Sequence, residues 1–89
     1  METKIITESK IEGDVIFDGK IIFENDIEIQ GNLSAFELFA KMAIYVHGSY
    51  TVKLRDIVGG SQKVGGYQKV GGSQEVGWSQ EVGESQEVG

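Results

Sequence analysis

The chain has 89 residues with no cysteine and no proline, so neither a disulfide nor a thiolate metal site staples it. One domain of this size must rest on backbone pairing and a continuous apolar interior. A net charge of −6 without any Lys/Arg run excludes nucleic acid as a partner. With no long apolar stretch and no signal-peptide pattern, a cytoplasmic protein lacking a transmembrane segment is expected.

From Lys4 onward apolar residues alternate with polar ones in six-residue units, most often apolar-x-Gly-x-apolar-x. Residues of one parity in a strand share one face, so the apolar set is the inward one. Ile5, Thr7 and Ser9 make a poor first unit. Ile11-Gly13-Val15, Phe17-Gly19-Ile21, Phe23-Asn25-Ile27 and Ile29-Gly31-Leu33 follow. Ala35 to Phe39 is one residue short, and the inward parity passes there from odd to even. The frame then resumes with Ala40-Met42-Ile44, Val46-Gly48-Tyr50 and Val52-Leu54-Asp56, where Asp56 is a poor inward residue. From Val58 the hexads become near-perfect: VGGSQK, VGGYQK, VGGSQE, VGWSQE, VGESQE and VG.

This pattern predicts an all-β fold, a single-stranded triangular β-solenoid of about 18 residues per coil. Fourteen units give between four and five coils in one domain, 1–89, with irregular hexads over 1–57 and regular ones over 58–89. Period two excludes an amphipathic helix for the chain as a whole. Within Ser34–Tyr45, AFELFAKMAIY keeps a helix as its alternative.

Stacking at this period sets side chains above one another. Lys63 falls over Glu81 and Lys69 over Glu87. Gln62 falls over Gln80 and Gln68 over Gln86, either as an interior amide ladder or at corners reaching solvent. Ile22, Phe39 and Ile57 form an outward apolar column, a candidate lateral interface. Trp78 and Glu84 replace glycine at the third, inward place of the hexad only in the last coil, and are a candidate C-terminal cap.

Catalytic chemistry has little to stand on. His47 is the only histidine, and the frame puts it outward as a solvated residue. Asp14, Asp18, Glu24, Asp26 and Glu28 are spread around the coil as an acidic exterior. No catalytic, metal or cofactor-binding constellation is expected, and the partner expected is the chain itself.

Residues 11–33, IEGDVIFDGKIIFENDIEIQGNL, with their Gly13-Asp14 and Gly31-Asn32 steps, resemble bactofilins, the polymer-forming bacterial cytoskeletal proteins. That resemblance implies a right-handed β-helix polymerising end to end without nucleotide. The Gln hexads depart from it. The Val-Gly tail is similar to the hexapeptide acyltransferases, left-handed helices that want a small residue where this chain has Val15, Ile21, Ile27, Leu33 and Tyr50. Those large residues favour the right-handed form. The expected function is a non-enzymatic self-associating scaffold or filament subunit. The alternatives are a trimeric spike or binding module, or an acyltransferase remnant using His47.

Overall fold

The computed structural model describes residues 2–88. Among them there is no helix, and the chain winds as a β-solenoid of about five turns. The strands are β1 (Thr3–Ile6), β2 (Lys10–Ile11), β3 (Val15–Phe23), β4 (Ile27–Ile29), β5 (Leu33–Ala40) and β6 (Ile44–Val46). They continue with β7 (Tyr50–Val58), β8 (Gln62–Val64), β9 (Gln68–Val70), β10 (Ser73–Val76), β11 (Gln80–Val82) and β12 (Gln86–Val88).

Every pairing is parallel and joins residues 17 or 18 apart, as in Ile27↔Ile44↔Gln62↔Gln80. One sheet runs β1-β3-β5-β7-β9-β12 with β10 also on β7, and the other runs β11-β8-β6-β4-β2. Short strands have no partner along their own length, so each coil is held by the coil beneath it. The segment 34–45 follows this rule. It contains most of β5 and the start of β6, which excludes the helix alternative.

The short unit lies where the hexad frame puts it. Ala35 pairs with Phe17 at an offset of 18, while Glu37 pairs with Lys20 at 17. Phe36 therefore stands alone against Asp18-Gly19 below and Lys53-Leu54 above. One residue against two lets Ala35 and Leu38 both face inward, although they differ in parity. The interior is a column of Ile21, Phe23, Ile29, Leu33, Leu38, Ile44, Val46 and Val52, all essentially inaccessible. Each contributes about 1.5–3 kcal/mol by leaving water.

Two expectations are corrected. The first unit is framed one residue later: Ile6 enters the core below Phe23, and Ile5 is 59% exposed. The third place of each hexad is a corner, not an inward position, so Met42 and Leu54 are exposed there. The chain must bend at that place, and a side chain on a convex bend points out.

Corners explain the glycines. Among the described residues no glycine has positive φ, so conformational freedom is not what selects them. Gly13, Gly31, Gly48 and Gly66 stack with N–H···O bonds of 3.2, 3.0 and 3.0 Å between successive coils. At Gly65 a methyl group would run into the carbonyl oxygen of His47 in the coil below. Around Gly13 the same methyl would meet nothing within 4 Å. Gly65→Ala is therefore expected to destabilise by about 1–3 kcal/mol, a fall of roughly 5–20 °C in thermal midpoint. Gly13→Ala should leave the midpoint unchanged or slightly higher. Thermal denaturation followed by circular dichroism checks both, and equal effects would contradict the crowding argument.

Candidate functional site

Three features stand out: an apolar column outside, an ion-paired aromatic cluster on the second sheet, and a polar interior in the C-terminal coils.

The apolar column is assembled by β1, β3, β5 and β7. Ile22, Phe39 and Ile57 are successive Cα partners, and Ile5 extends the column below them. Ile5 and Phe39 are 59% and 36% exposed. At ~4.8 Å per rung the four side chains span roughly 14 Å. Glu75 follows above Ile57 and ends the apolar run. The neighbouring outward column holds Lys20, Glu37 and Arg55. On the other side Glu24 and Lys41, just past the strand ends, form an ion pair.

The cap residues behave differently from the column. Trp78 is 84% exposed and Glu84 is exposed as well, because both occupy corners. They stand on Gly60 and Gly66 through backbone bonds of 3.1 and 3.0 Å, on separate corners of the last coil. Neither enters the interior, so no charge is carried into it at this place.

On the second sheet, His47 Nε2 lies 2.6 Å from Glu28 Oε2. Its ring stacks on Tyr45 with centroids 4.1 Å apart. Lys63 places its ammonium over the other part of this cluster, 4.9 Å from the Tyr45 ring centre. His47 is thus neither isolated nor simply solvated. The hydrogen bond to His47 holds Glu28 below its ordinary pKa of 4.5, opposed by desolvation and aided by charge on His47 and Lys10. An open cleft of about 460 Å³ beside the cluster is lined by Ser9, Asp26, Glu28, Tyr45, Ser61 and Lys63. Among the described residues no group of three or more His, Asp or Glu side chains is arranged to hold a metal ion.

Comparison with protein-family models, curated proteins and solved structures finds no match. Among the described residues no helix is long and apolar enough to cross a membrane.

The interior changes character at Asp56, which is fully buried. Tyr50 donates its hydroxyl to Asp56 Oδ1 at 2.5 Å. Gln62 and Gln74 donate amide N–H groups to Oδ2 at 2.8 and 3.1 Å. A carboxylate only accepts, so the amide nitrogens of Gln62 and Gln74 must face it. The same direction continues outward along the axis. Gln74 donates to Gln62 at 2.9 Å, Gln80 to Gln62 and Gln68 at 2.8 and 3.1 Å, and Gln86 to Gln74 and Gln80 at 3.1 and 3.0 Å. The glutamines are the interior ladder, linked across the coil as well as along it. Among the described residues Gln68 Nε2 has no partner; the residue beneath it is Tyr50, whose hydroxyl is spent on Asp56.

Of the surface charge pairs, Lys69 and Glu87 approach to 4.0 Å. Lys63 and Glu81 are Cα partners, but the Lys63 ammonium lies over Tyr45 instead. Alternation and counting give no hold on the Glu28–His47 pair, because the two lie 19 residues apart, two places off the local register that sets Glu28 against Tyr45. Asp56 is a poor inward residue by type, and its partner Tyr50 lies six residues earlier at the matching inward place of the preceding hexad.

Burial raises the pKa of Asp56 above its ordinary 3.8, partly offset by the donors Tyr50, Gln62 and Gln74. Burial, then the charge of Asp56 and their mutual hydrogen bond, push Tyr50 well above 10.0, so it remains a neutral donor. An acid with a raised native pKa binds its proton more tightly in the folded state. Its ionisation therefore lowers stability as pH rises from 3.8 through the raised value, with no further change above it. Asp56→Leu should abolish this component, seen by subtracting the variant's stability profile from that of the wild type. At neutral pH the same variant strands three donors at about 1–3 kcal/mol each, and its thermal midpoint should fall by roughly 10 °C or more. An unchanged midpoint would mean the amides find other acceptors. For the outer cluster, His47→Ala should move the Glu28 carboxyl up towards 4.5 in a carbon-detected NMR titration. A stationary Glu28 would contradict the pairing.

Proposed function

We propose that this protein is a non-enzymatic scaffold subunit that self-associates through the outer face of its first sheet. The observation that carries this reading is the apolar column Ile5–Ile22–Phe39–Ile57. Single exposed apolar residues are ordinary on soluble proteins, but four in register form a stripe that gains by burial against another chain. A solenoid suits such a role because its faces are rigid and its columns repeat at the ladder spacing. The resemblance of residues 11–33 to bactofilins points the same way, towards assembly rather than catalysis. The arrangement of Lys20, Glu37 and Arg55 beside the stripe supplies a polar rim of the kind found around protein contacts.

Phe39→Glu places a charge in the middle of the stripe. It is expected to weaken self-association by roughly tenfold or more, since a central apolar anchor is replaced by a group that must stay hydrated. Sedimentation velocity across a concentration series reads the association, and circular dichroism should show an unchanged β signal. Association equal to that of the wild type would remove the stripe from the interface. Electron microscopy of the wild-type protein separates closed oligomers from filaments.

A further inference from the structure

We propose that the trough between Tyr45 and Trp78 is a binding site for a neutral oligosaccharide. It is centred on the second sheet, not on the apolar stripe, so it stands independently of the self-association proposed above. Its floor is one outward column. Asp26 Oδ1 accepts from Ala43 N–H at 3.0 Å, and Ser61 lies one coil higher, its carbonyl accepting from Ile44 N–H at 2.9 Å. Alanine has the shortest side chain of the three, which leaves a depression between a carboxylate and a hydroxyl. Two open clefts, of about 460 and 340 Å³, share these three residues. Both volumes are within the range of small-molecule sites, ~300–1,000 Å³. Tyr45 lines the first cleft and Trp78 the second.

The chemistry of the lining selects the ligand. Lys41 and Lys63 stand there with Asp26 and Glu28, so both signs are present. A phosphate is opposed by the carboxylates, and an amine by the ammonium groups. Both lysines are already engaged, Lys41 with Glu24 and Lys63 over the Tyr45 ring. Asp26 keeps Oδ2 as an acceptor, and the Ser61 hydroxyl can donate as well as accept. A polyhydroxylated chain uses donors and acceptors together and brings no charge to be desolvated. Its C–H faces pack on aromatic rings whose edges stay wet. Trp78 offers such a ring at 84% exposure. The residue stands on Gly60, and Gly60 on Met42, through backbone bonds of 3.1 and 3.2 Å. Trp78 is thus two rungs above the level of Met42 and Tyr45, roughly 10 Å along the axis. No single sugar ring reaches from one level to the other, so the ligand is a chain of linked sugars.

Trp78 is the sole tryptophan, which makes its fluorescence a direct reporter of the site. The intact chain is titrated with cellohexaose, chitohexaose and maltohexaose as neutral probes. At least one should shift the emission to the blue and saturate, with a matching dissociation constant by calorimetry. Ala43→Phe fills the floor and Trp78→Ala removes a wall. Each should raise that dissociation constant about tenfold or more. Asp26→Asn keeps an oxygen for Ala43 N–H but loses the carboxylate, and should raise it about threefold to tenfold. Circular dichroism confirms that each variant is folded. Failure of all three hexasaccharides to bind would overturn the proposal, as would equal binding by wild type and Ala43→Phe. A saturating shift with tetramethylammonium or inorganic phosphate, and with no sugar, would assign the trough to a charged ligand and overturn it as well.

Discussion

Hydrogen bonding between coils 17 or 18 residues apart is the constraint on which the rest of this molecule depends. Strands of three or four residues have no stability of their own, and nothing local would hold them extended. Each is kept in place because its N–H and C=O groups are completed by the coil below and the coil above. Parallel pairing at nearly constant offset then turns sequence period into vertical columns. Apolar columns become the core, glycine columns become corners where backbone crosses backbone, and charged columns become the exterior.

The same constraint explains how polar side chains are tolerated on the axis. In the N-terminal coils Phe23, Ile29, Leu33 and Leu38 fill it, and no hydrogen bonding is needed there. In the C-terminal coils three glutamines per turn converge, and an isolated buried amide would be costly. Asp56 resolves this by accepting from two of them and from Tyr50. Having only acceptors, it orients the amides, and Gln62, Gln74, Gln80 and Gln86 donate towards the N-terminal end while Gln68 only accepts. The carboxylate is therefore the junction between two kinds of interior, and its burial is offset by three donors rather than by a countercharge.

On the outside, in-register stacking sets one apolar column between two charged ones. For the proposed scaffold role this is the useful consequence of the fold. A face with a fixed sequence of signs at fixed heights restricts the registers in which a partner can meet it without opposing like charges. The Glu28–His47–Tyr45 cluster on the second sheet is a separate feature, held by a charge-assisted hydrogen bond and ring stacking.

Much of the architecture was determined by the residues alone. Period two, the hexad frame, the short unit at 35–39 and the column Ile22–Phe39–Ile57 all follow from local alternation and counting, because a ladder of constant offset converts sequence distance directly into position. Tertiary structure decided the rest. Ile5 and Ile6 are the same residue type, so only pairing with β3 selects which one is buried. Whether the third place of a hexad faces in or out depends on where the chain bends, and alternation carries no record of bends. The glutamines had two plausible environments until Asp56 and Tyr50 were brought beneath them. Glu28 and His47 meet across neighbouring columns, a relation that appears only once the coils are stacked.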